Sequence, residues 1–288
     1  MNSTHPKRGL TDSLTQQIDR TQVIDNSLAI WGLGQASVII KGRDAVIAID
    51  PYLSAHVDDV SNGDMKRNFP PPVAPQDLTN LNYVLITHEH MDHLDTRTLE
   101  PLLQASPGAK VVMPGWCREP IAEIGIDESR TIVPQALQPM TLPKTSIRLT
   151  AIPAAHEQIE VDPVKGHRWF GYLIEWNGVA VYHSGDNVPY DGYLEALQAQ
   201  PKPDVAMLPI NGRDYFRRSR DIAGNFHPHE AVQLGARLGW ELLIPLHNDM
   251  YPQNSVPWEY WSRAIDDFAP RQRYKRLQPG EMLYYVKS

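Results

Sequence analysis

One short segment of the chain, LITHEHMDHLD at residues 85–95, holds three histidines and an aspartate: His88, His90, Asp92 and His93. Histidine favours neither helices nor strands strongly, so backbone preference does not explain the cluster. The apolar run YVLIT leads into it and predicts a buried strand that ends at the cluster. In an extended segment alternate side chains point the same way, so His88 and His90 can bind one metal ion. Asp92 and His93, just after the bend, can turn towards a second ion.

Three other apolar strands are predicted to end in a metal-binding side chain. TAIPAAH ends at His156, VYHSGD ends at Asp186 and LLIPLH ends at His247. A single zinc ion needs only three protein ligands and a water molecule, whereas these residues bring the candidates to five histidines and two aspartates. Seven ligands are enough for two ions, and Asp186 is the natural candidate for a carboxylate that bridges them at a spacing of roughly 3.5–4 Å.

The pattern of apolar segments predicts the fold class. Short runs rich in Val and Ile at 28–33, 36–41 and 44–50 indicate sequential strands, and later strands alternate with helices. This mixture suits two sheets with helices outside them. A chain of 288 residues fits one large domain or two small ones. We predict a polar N-terminal arm at 1–27 and a single domain over 28–288.

Composition excludes several classes of function. The net charge is −7 and the pI about 5.9, whereas a general nucleic-acid binder carries a basic surface. No apolar run is long enough to span a membrane, and the polar N-terminus lacks the apolar core of a signal peptide. A single cysteine, Cys117, rules out an intrachain disulfide framework. We therefore predict a cytoplasmic protein with no nucleic-acid or membrane partner.

The order of the metal-binding residues resembles the metallo-β-lactamase superfamily. Asp50, at the end of AVIAID, matches the first motif of that superfamily, where the aspartate usually supports a ligand without touching the ion. The resemblance implies a four-layer α+β fold, an αβ/βα sandwich of two mixed sheets flanked by helices. It implies two ligand sets that share one carboxylate: His88, His90 and His156 for one ion, Asp92, His93 and His247 for the other, and Asp186 as the bridge.

Other segments resemble one particular group within this superfamily. WGLGQAS, IDPYLS, VYHSGDN and LLIPLHND are similar to the L-ascorbate-6-phosphate lactonase-like group, which is cytoplasmic and metal-dependent and often oligomeric. This resemblance implies two divalent ions, zinc or manganese with iron also suitable. It also implies a small anionic substrate, and it is compatible with a homo-oligomer. The segment HPHEAV at 227–232 also resembles N-acylphosphatidylethanolamine phospholipase D, a phosphodiesterase.

Several polar residues between the last two ligands are candidates for substrate contact. Arg213, Arg217 and Arg218 lie in the loop 211–226 and could clamp an anion, because guanidinium groups bind phosphate bidentately. The alternative is a solvated face in which they pair with neighbouring carboxylates such as Asp214.

Three further residues have two interpretations each. His227 and His229 flank Pro228 and either contact substrate, one as a proton donor, or only begin a helix. Asp249 either orients a metal ligand or lies in a solvated loop.

These residues predict a metal-dependent hydrolase. A water molecule activated by two metal ions attacks a carbonyl carbon, with Asp186 and Asp92 as the catalytic carboxylates. Two divalent ions balanced by these carboxylates and a hydroxide leave a charge of about +1, which favours an anionic lactone or ester. The alternatives are a phosphodiesterase and a non-catalytic metal-binding protein of the same fold.

Overall fold

A computed structural model describes residues 12–287 of the chain. Its strands, in chain order, are β1 (Ser27–Gly34), β2 (Ser37–Lys41), β3 (Val46–Ile49), β4 (Tyr83–Leu85), β5 (Lys110–Val112), β6 (Thr131–Ile132), β7 (Met140–Thr141), β8 (Arg148–Pro153), β9 (Val161–Asp162), β10 (Gly166–His167), β11 (Phe170–Trp176), β12 (Val179–His183), β13 (Val205–Pro209), β14 (Leu242–Leu246), β15 (Arg273–Tyr274) and β16 (Met282–Val286). Its α-helices are α1 (Leu14–Arg20), α2 (His56–Val60), α3 (Thr96–Ala105), α4 (Arg118–Glu123), α5 (Tyr193–Gln198), α6 (Tyr215–Arg218), α7 (Pro228–Leu238) and α8 (Trp258–Phe268).

The strands form two seven-stranded sheets and a small hairpin of β9 and β10. The first sheet has the order β16-β1-β2-β3-β4-β5-β6, and the second has the order β15-β14-β13-β12-β11-β8-β7. Both sheets are mixed: β3 to β6 run parallel in the first, and β12 to β15 run parallel in the second. The remaining neighbours in each sheet are antiparallel.

Side chains alternate between two apolar layers along each strand, as the period of two in a β-strand requires. In β1, Leu28 and Ile30 point into a core between the two sheets, where they pack with residues of the second sheet such as Val181 and Met207. Trp31 points the other way, into a separate core under the helices of the first sheet. Because both faces of each sheet are covered, most residues of the central strands are apolar.

The helices cover the two outer faces. Helices α1, α3 and α4 pack on the first sheet, and α5, α7 and α8 pack on the second. The order of layers is therefore helix, sheet, sheet, helix, and the predicted αβ/βα sandwich is confirmed. No helix within residues 12–287 is both long and apolar enough to cross a membrane.

Part of the predicted N-terminal arm is built into the outer layer. Helix α1 buries Leu14 and Ile18 against the first sheet, and burial of such a side chain contributes about 1.5–3 kcal/mol. Its N-cap Ser13 accepts a hydrogen bond from the backbone of Gln16. The first part of the predicted arm, residues 1–11, lies outside the described residues. The domain boundary at residue 28 stays a prediction.

Two boundaries differ from the sequence predictions in ways that matter for the site. Strand β4 ends at Leu85, two residues earlier than the apolar run, so the chain has already left the sheet when it reaches the histidines. Helix α6 forms inside the segment 211–226, which we predicted as a loop, and its N-cap Asp214 accepts a hydrogen bond from the backbone of Arg217.

Candidate metal centre

Strand direction brings the predicted ligands to one edge of the sandwich. Strands β3 and β4 are parallel, so Asp50 and His88 follow their carboxyl ends at the same edge of the first sheet. In the second sheet β8, β12 and β14 all run in one direction. Their carboxyl ends are followed by His156, Asp186 and His247. Catalytic groups on loops held by a rigid sheet are a common arrangement.

All seven predicted ligands come together at this edge, in two clusters of three joined by one carboxylate. The histidine cluster consists of His88, His90 and His156, and the mixed cluster consists of Asp92, His93 and His247. Within each cluster the ligand atoms lie within 4.8 Å of one another.

Asp186 lies between the clusters and contacts both. Its Oδ2 is 3.5 Å from Nε2 of His156 in the histidine cluster. Its Oδ1 is 3.3 Å from Nε2 of His93 and 3.4 Å from Nε2 of His247 in the mixed cluster. Asp186 therefore connects the two clusters, which is the place that the resemblance implied for it.

Several ligand atoms are buried without a hydrogen-bond partner among the described residues. They include Nε2 of His88, Nε2 of His93 and Oδ1 of Asp186. An unpaired buried polar atom is unfavourable and rare in native proteins. A cation coordinated by these atoms would remove the penalty, and a set of imidazole and carboxylate ligands suits zinc, manganese or iron. The residues present therefore fit a divalent metal.

Asp50 and Thr87 hold His93 in place from behind. Oδ2 of Asp50 lies 2.7 Å from Nδ1 of His93, which leaves Nε2 directed at Asp186. Thr87 donates hydrogen bonds to both carboxylate oxygens of Asp50, through its backbone N–H at 2.8 Å and its hydroxyl at 2.6 Å. A carboxylate behind a ligand histidine fixes the orientation and tautomer of the ring. The sequence interpretation did not include Thr87, although its place directly before His88 is a usable signal.

The histidine cluster disfavours protonation. Burial lowers the pKa of His88 well below its ordinary value, and the neighbouring His93 and His90 lower it further. Burial and the nearby His156 lower the pKa of His90 to about 4. Neutral imidazole is the form that binds a metal ion, so these two rings are held in the ligand form.

The mixed cluster is dominated by its carboxylates. Burial alone would lower the pKa of His93, but Asp186, Asp92 and Asp50 raise it well above its ordinary value. Burial alone would raise the pKa of Asp92 and of Asp186, but their histidine neighbours lower both. Both carboxylates therefore stay ionised.

Gln35 also contacts the mixed cluster, and the sequence interpretation did not include it. Its side-chain Nε2 lies 2.8 Å from Oδ2 of Asp92 and 3.1 Å from Nε2 of His247. The signal in WGLGQAS is a glutamine at the turn between two strands, where glycine or asparagine is more usual. Asp249 accepts a hydrogen bond from the backbone N–H of Gln35 at 3.0 Å. It thus supports Gln35 and contacts no ligand side chain by a hydrogen bond in the described residues.

A cavity of about 480 Å³ opens beside the histidine cluster, with His156 in its wall. Arg213 and Arg218 also line it, together with apolar side chains such as Ile222. This volume is within the usual range for small-molecule sites.

The three arginines of the predicted anion clamp have different environments. Arg213 makes two 2.7 Å hydrogen bonds to the carboxylate of Glu230. Arg218 is largely exposed and lies 3.4 Å from Oε1 of Glu157. Arg217 does not line the cavity, because its buried guanidinium bonds Asp214 and the backbone oxygen of Asn211 and so stabilises the loop itself. For Arg217 the geometry therefore favours the alternative interpretation, a pair with Asp214.

His227 and His229 lie at the start of α7, and neither lines the cavity. His227 is the N-cap residue, and its backbone N–H donates a 2.8 Å hydrogen bond to Oε2 of Glu230. The two rings stack with centroids 5.5 Å apart. The helix-start interpretation is therefore the one that the geometry supports.

Comparisons with known proteins identify the family. A family model described as beta-lactamase superfamily domain matches residues 46–248. A UPF0173 metal-dependent hydrolase of Caldivirga maquilingensis is 27% identical over 252 residues, which cover 87% of this chain and 95% of the relative. The N-acyl-phosphatidylethanolamine-hydrolyzing phospholipase D 1 of Caenorhabditis elegans is 26% identical over 261 residues, which cover 86% of this chain and 69% of the relative.

A solved structure shares the fold. Igni18, a metallo hydrolase from the archaeon Ignicoccus hospitalis, superposes with a TM-score of 0.65 at 20% identity, covering 91% of this chain and all of that one. The superfamily model spans well over half of the chain, including every residue of the two clusters and Asp186. The chain belongs to the beta-lactamase superfamily.

Proposed function

We propose that this protein is a metal-dependent hydrolase that opens a lactone or ester of a small anionic molecule at a two-ion centre. The observation that supports it most is the position of Asp186, whose two carboxylate oxygens face different clusters of ligands. The names of the relatives, metal-dependent hydrolase and phospholipase D, agree with hydrolytic chemistry.

The proposed ligand sets follow the two clusters. His88, His90 and His156 would hold one divalent ion, Asp92, His93 and His247 would hold the other, and Asp186 would be available to both. Zinc and manganese suit this donor set best. When bound, such ions lower the pKa of a coordinated water and polarise the carbonyl group of the substrate.

Carboxylate side chains of this protein would take part in proton transfer. Hydrolysis adds the water oxygen to the carbonyl carbon, breaks the acyl C–O bond and delivers a proton to the leaving oxygen. The low pKa of Asp186 keeps this carboxylate ionised, so it can accept the proton of the attacking water. Asp92 is ionised for the same reason and keeps the ring of His247 oriented at 3.3 Å.

The cavity supports a small substrate with one charged end. Its volume of about 480 Å³ accommodates a sugar-sized molecule, and it opens directly at His156. Arg218 is the arginine best placed to bind a phosphate or carboxylate of the substrate, because its pairing with Glu157 at 3.4 Å is exposed and therefore weak. Arg213 faces the same cavity, but Glu230 already neutralises it.

Phosphodiester cleavage is the second candidate function. Tyr215, which lines the cavity, and its neighbour Phe216 are 79% and 75% exposed, which is unusual for large aromatic side chains. Such side chains suit an apolar substrate chain, and the Caenorhabditis elegans relative is named as a phospholipase D. The same seven ligands can serve attack at phosphorus, so the metal clusters do not distinguish the two reactions.

Initial rates with two substrate classes test the proposal. Protein stripped of metal is reloaded with zinc or manganese and assayed with a phosphorylated sugar lactone and with a chromogenic phosphodiester. We expect metal-dependent lactone opening, reduced at least 100-fold in Asp186→Ala, a loss typical of an essential electrostatic group. Phosphodiester cleavage without lactone opening would establish the second candidate instead. Hydrolysis of neither substrate class by the loaded protein would contradict both.

A further inference from the structure

Gln35 has the geometry of a metal ligand, although neither the resemblance nor the ligand spacing includes it. We infer that its side-chain amide is a further ligand of the ion bound by the mixed cluster. This inference rests on the proposed two-ion centre. Gln35 would be the eighth protein ligand of the centre. Its carbonyl oxygen would give the mixed cluster more oxygen ligands than the histidine cluster has.

The backbone of Gln35 is fixed to the segment that carries His247. Gln35 lies in the turn between β1 and β2 with φ +56°, a left-handed conformation that residues other than glycine rarely adopt. Its backbone N–H donates to Asp249 at 3.0 Å, and its backbone oxygen accepts from the N–H of His247 at 2.9 Å. His247 itself has φ +58°. Two unusual backbone conformations therefore support each other and bring both side chains to one point, as is typical of functional sites.

The distances around the amide match those within a coordination sphere. Ligand atoms bound to one ion at about 2.0–2.2 Å lie about 2.8–3.6 Å from one another in octahedral or tetrahedral geometry. Nε2 of Gln35 is 2.8 Å from Oδ2 of Asp92 and 3.1 Å from Nε2 of His247. The last two atoms are themselves 3.3 Å apart. The amide thus completes a triangle whose edges all have the length expected of ligands to one ion.

The amide and a cation compete for the same lone pairs. To accept from the amide, Nε2 of His247 must use the lone pair that would otherwise coordinate a metal ion. The two ends of a carboxamide differ little in shape, so exchanging them presents the carbonyl oxygen Oε1 at the position of Nε2. Carboxamide oxygen is an accepted ligand for hard divalent cations. Gln35 is only 3% exposed, so the amide has little access to solvent as an alternative partner.

The contact between Gln35 and Asp92 could also be a simple hydrogen bond, and the two roles predict opposite effects of Gln35→Glu on metal binding. If the amide acts only as an N–H donor that orients Asp92, then Gln35→Glu places two carboxylates together and weakens metal binding. If the amide oxygen is a ligand, then Gln35→Glu supplies a charged ligand of nearly the same shape and strengthens metal binding. The sign of the change separates the two roles.

The test measures binding of Mn²⁺ and Zn²⁺ to metal-free protein by competition with a chromogenic chelator, with the bound metal counted by elemental analysis. Variants are Gln35→Glu and Gln35→Gly, since glycine accepts the positive φ. Asn62→Gly, at an exposed residue with φ +52° far along the chain from any ligand, is the matched control for the backbone change. Far-ultraviolet circular dichroism verifies that each variant is folded.

We expect Gln35→Glu to bind one of the two equivalents at least tenfold more tightly and Gln35→Gly to bind it at least tenfold more weakly. The other equivalent and the Asn62→Gly control should match the unmodified protein. Weaker binding in Gln35→Glu, or unchanged binding in both Gln35 variants, would overturn the inference while leaving the two-ion centre intact. If the unmodified protein binds a single equivalent, the two-ion centre itself is refuted and the inference with it.

Discussion

The two halves of the metal centre lie side by side and share Asp186, yet their electrostatics are opposite. In the histidine cluster, burial and neighbouring rings lower the pKa of His88 and His90. In the mixed cluster, the surrounding carboxylates outweigh burial and raise the pKa of His93 and His247. The histidine cluster holds three imidazole groups and the mixed cluster holds two together with Asp92. The carboxylates within about 4 Å decide whether a buried histidine is neutral or charged.

This contrast implies different contributions to the stability of the metal-free protein. The mixed cluster is held by charge pairs such as His93 with Asp50 at 2.7 Å and His93 with Asp186 at 3.3 Å. The histidine cluster has no carboxylate among its three residues, and its shortest carboxylate contact within residues 12–287 is the 3.5 Å contact between His156 and Asp186. The mixed cluster should therefore be partly preformed, whereas the histidine cluster depends more on the bound ion.

The largest expected effect compares His93→Ala with His90→Ala in metal-free protein. His93→Ala removes the histidine that pairs with the buried carboxylates of both Asp50 and Asp186, which should lower the free energy of unfolding by about 3–5 kcal/mol. His90 is half-buried, and His90→Ala should change that free energy by less than about 1 kcal/mol. Urea unfolding with excess chelator measures both values. Equal decreases in the free energy of unfolding of the two variants would show that the two clusters contribute equally to the stability of the metal-free protein.

Asp50→Asn tests the difference between the two clusters, because it keeps the shape of the side chain behind His93 and removes its charge. Loss of a carboxylate partner of a ligand histidine typically weakens metal binding 10–100-fold. We expect this loss for the equivalent bound by the mixed cluster and no change for the other, measured by chelator competition. Thr87→Val, which removes the hydroxyl that donates to Asp50 at 2.6 Å, should produce a smaller change of the same sign. Equal weakening of both equivalents would contradict two separable sites.

The smallest effect concerns the cavity beside the histidine cluster. Arg218→Met removes an exposed charge and should change the free energy of unfolding by no more than about 0.5 kcal/mol. It should raise KM for an anionic substrate several-fold with kcat nearly unchanged. Arg213→Met is the comparison, because it breaks the bidentate pair with Glu230 at the start of α7 and should lower the melting temperature. An unchanged KM in Arg218→Met would remove this residue from the substrate site.

Much of this architecture could be predicted from the sequence because the signals are local. An apolar run followed directly by a ligand residue indicates a strand and a functional group at its end, and this applied to His156, Asp186 and His247. The layers were predicted from sequential short strands followed by strands that alternate with helices.

Other parts of the site depend on contacts between distant residues, which a single sequence does not report. Gln35 reaches Asp92 and His247 across 57 and 212 positions, and its unusual place in a turn does not by itself indicate which residues it contacts. For Arg217 the geometry favours the alternative interpretation, a pair with Asp214. This partner is three positions away, but sequence proximity alone did not show that the Arg217 side chain would be buried.

The seven ligands are divided between the two sheets. His88, His90, Asp92 and His93 follow one strand of the first sheet, whereas His156, Asp186 and His247 follow strands of the second. An ion that takes ligands from both groups would bind only when the two sheets are packed together, and a ligand that binds only the folded state raises the free energy of unfolding. Such an ion would act as a cross-link between the two sheets.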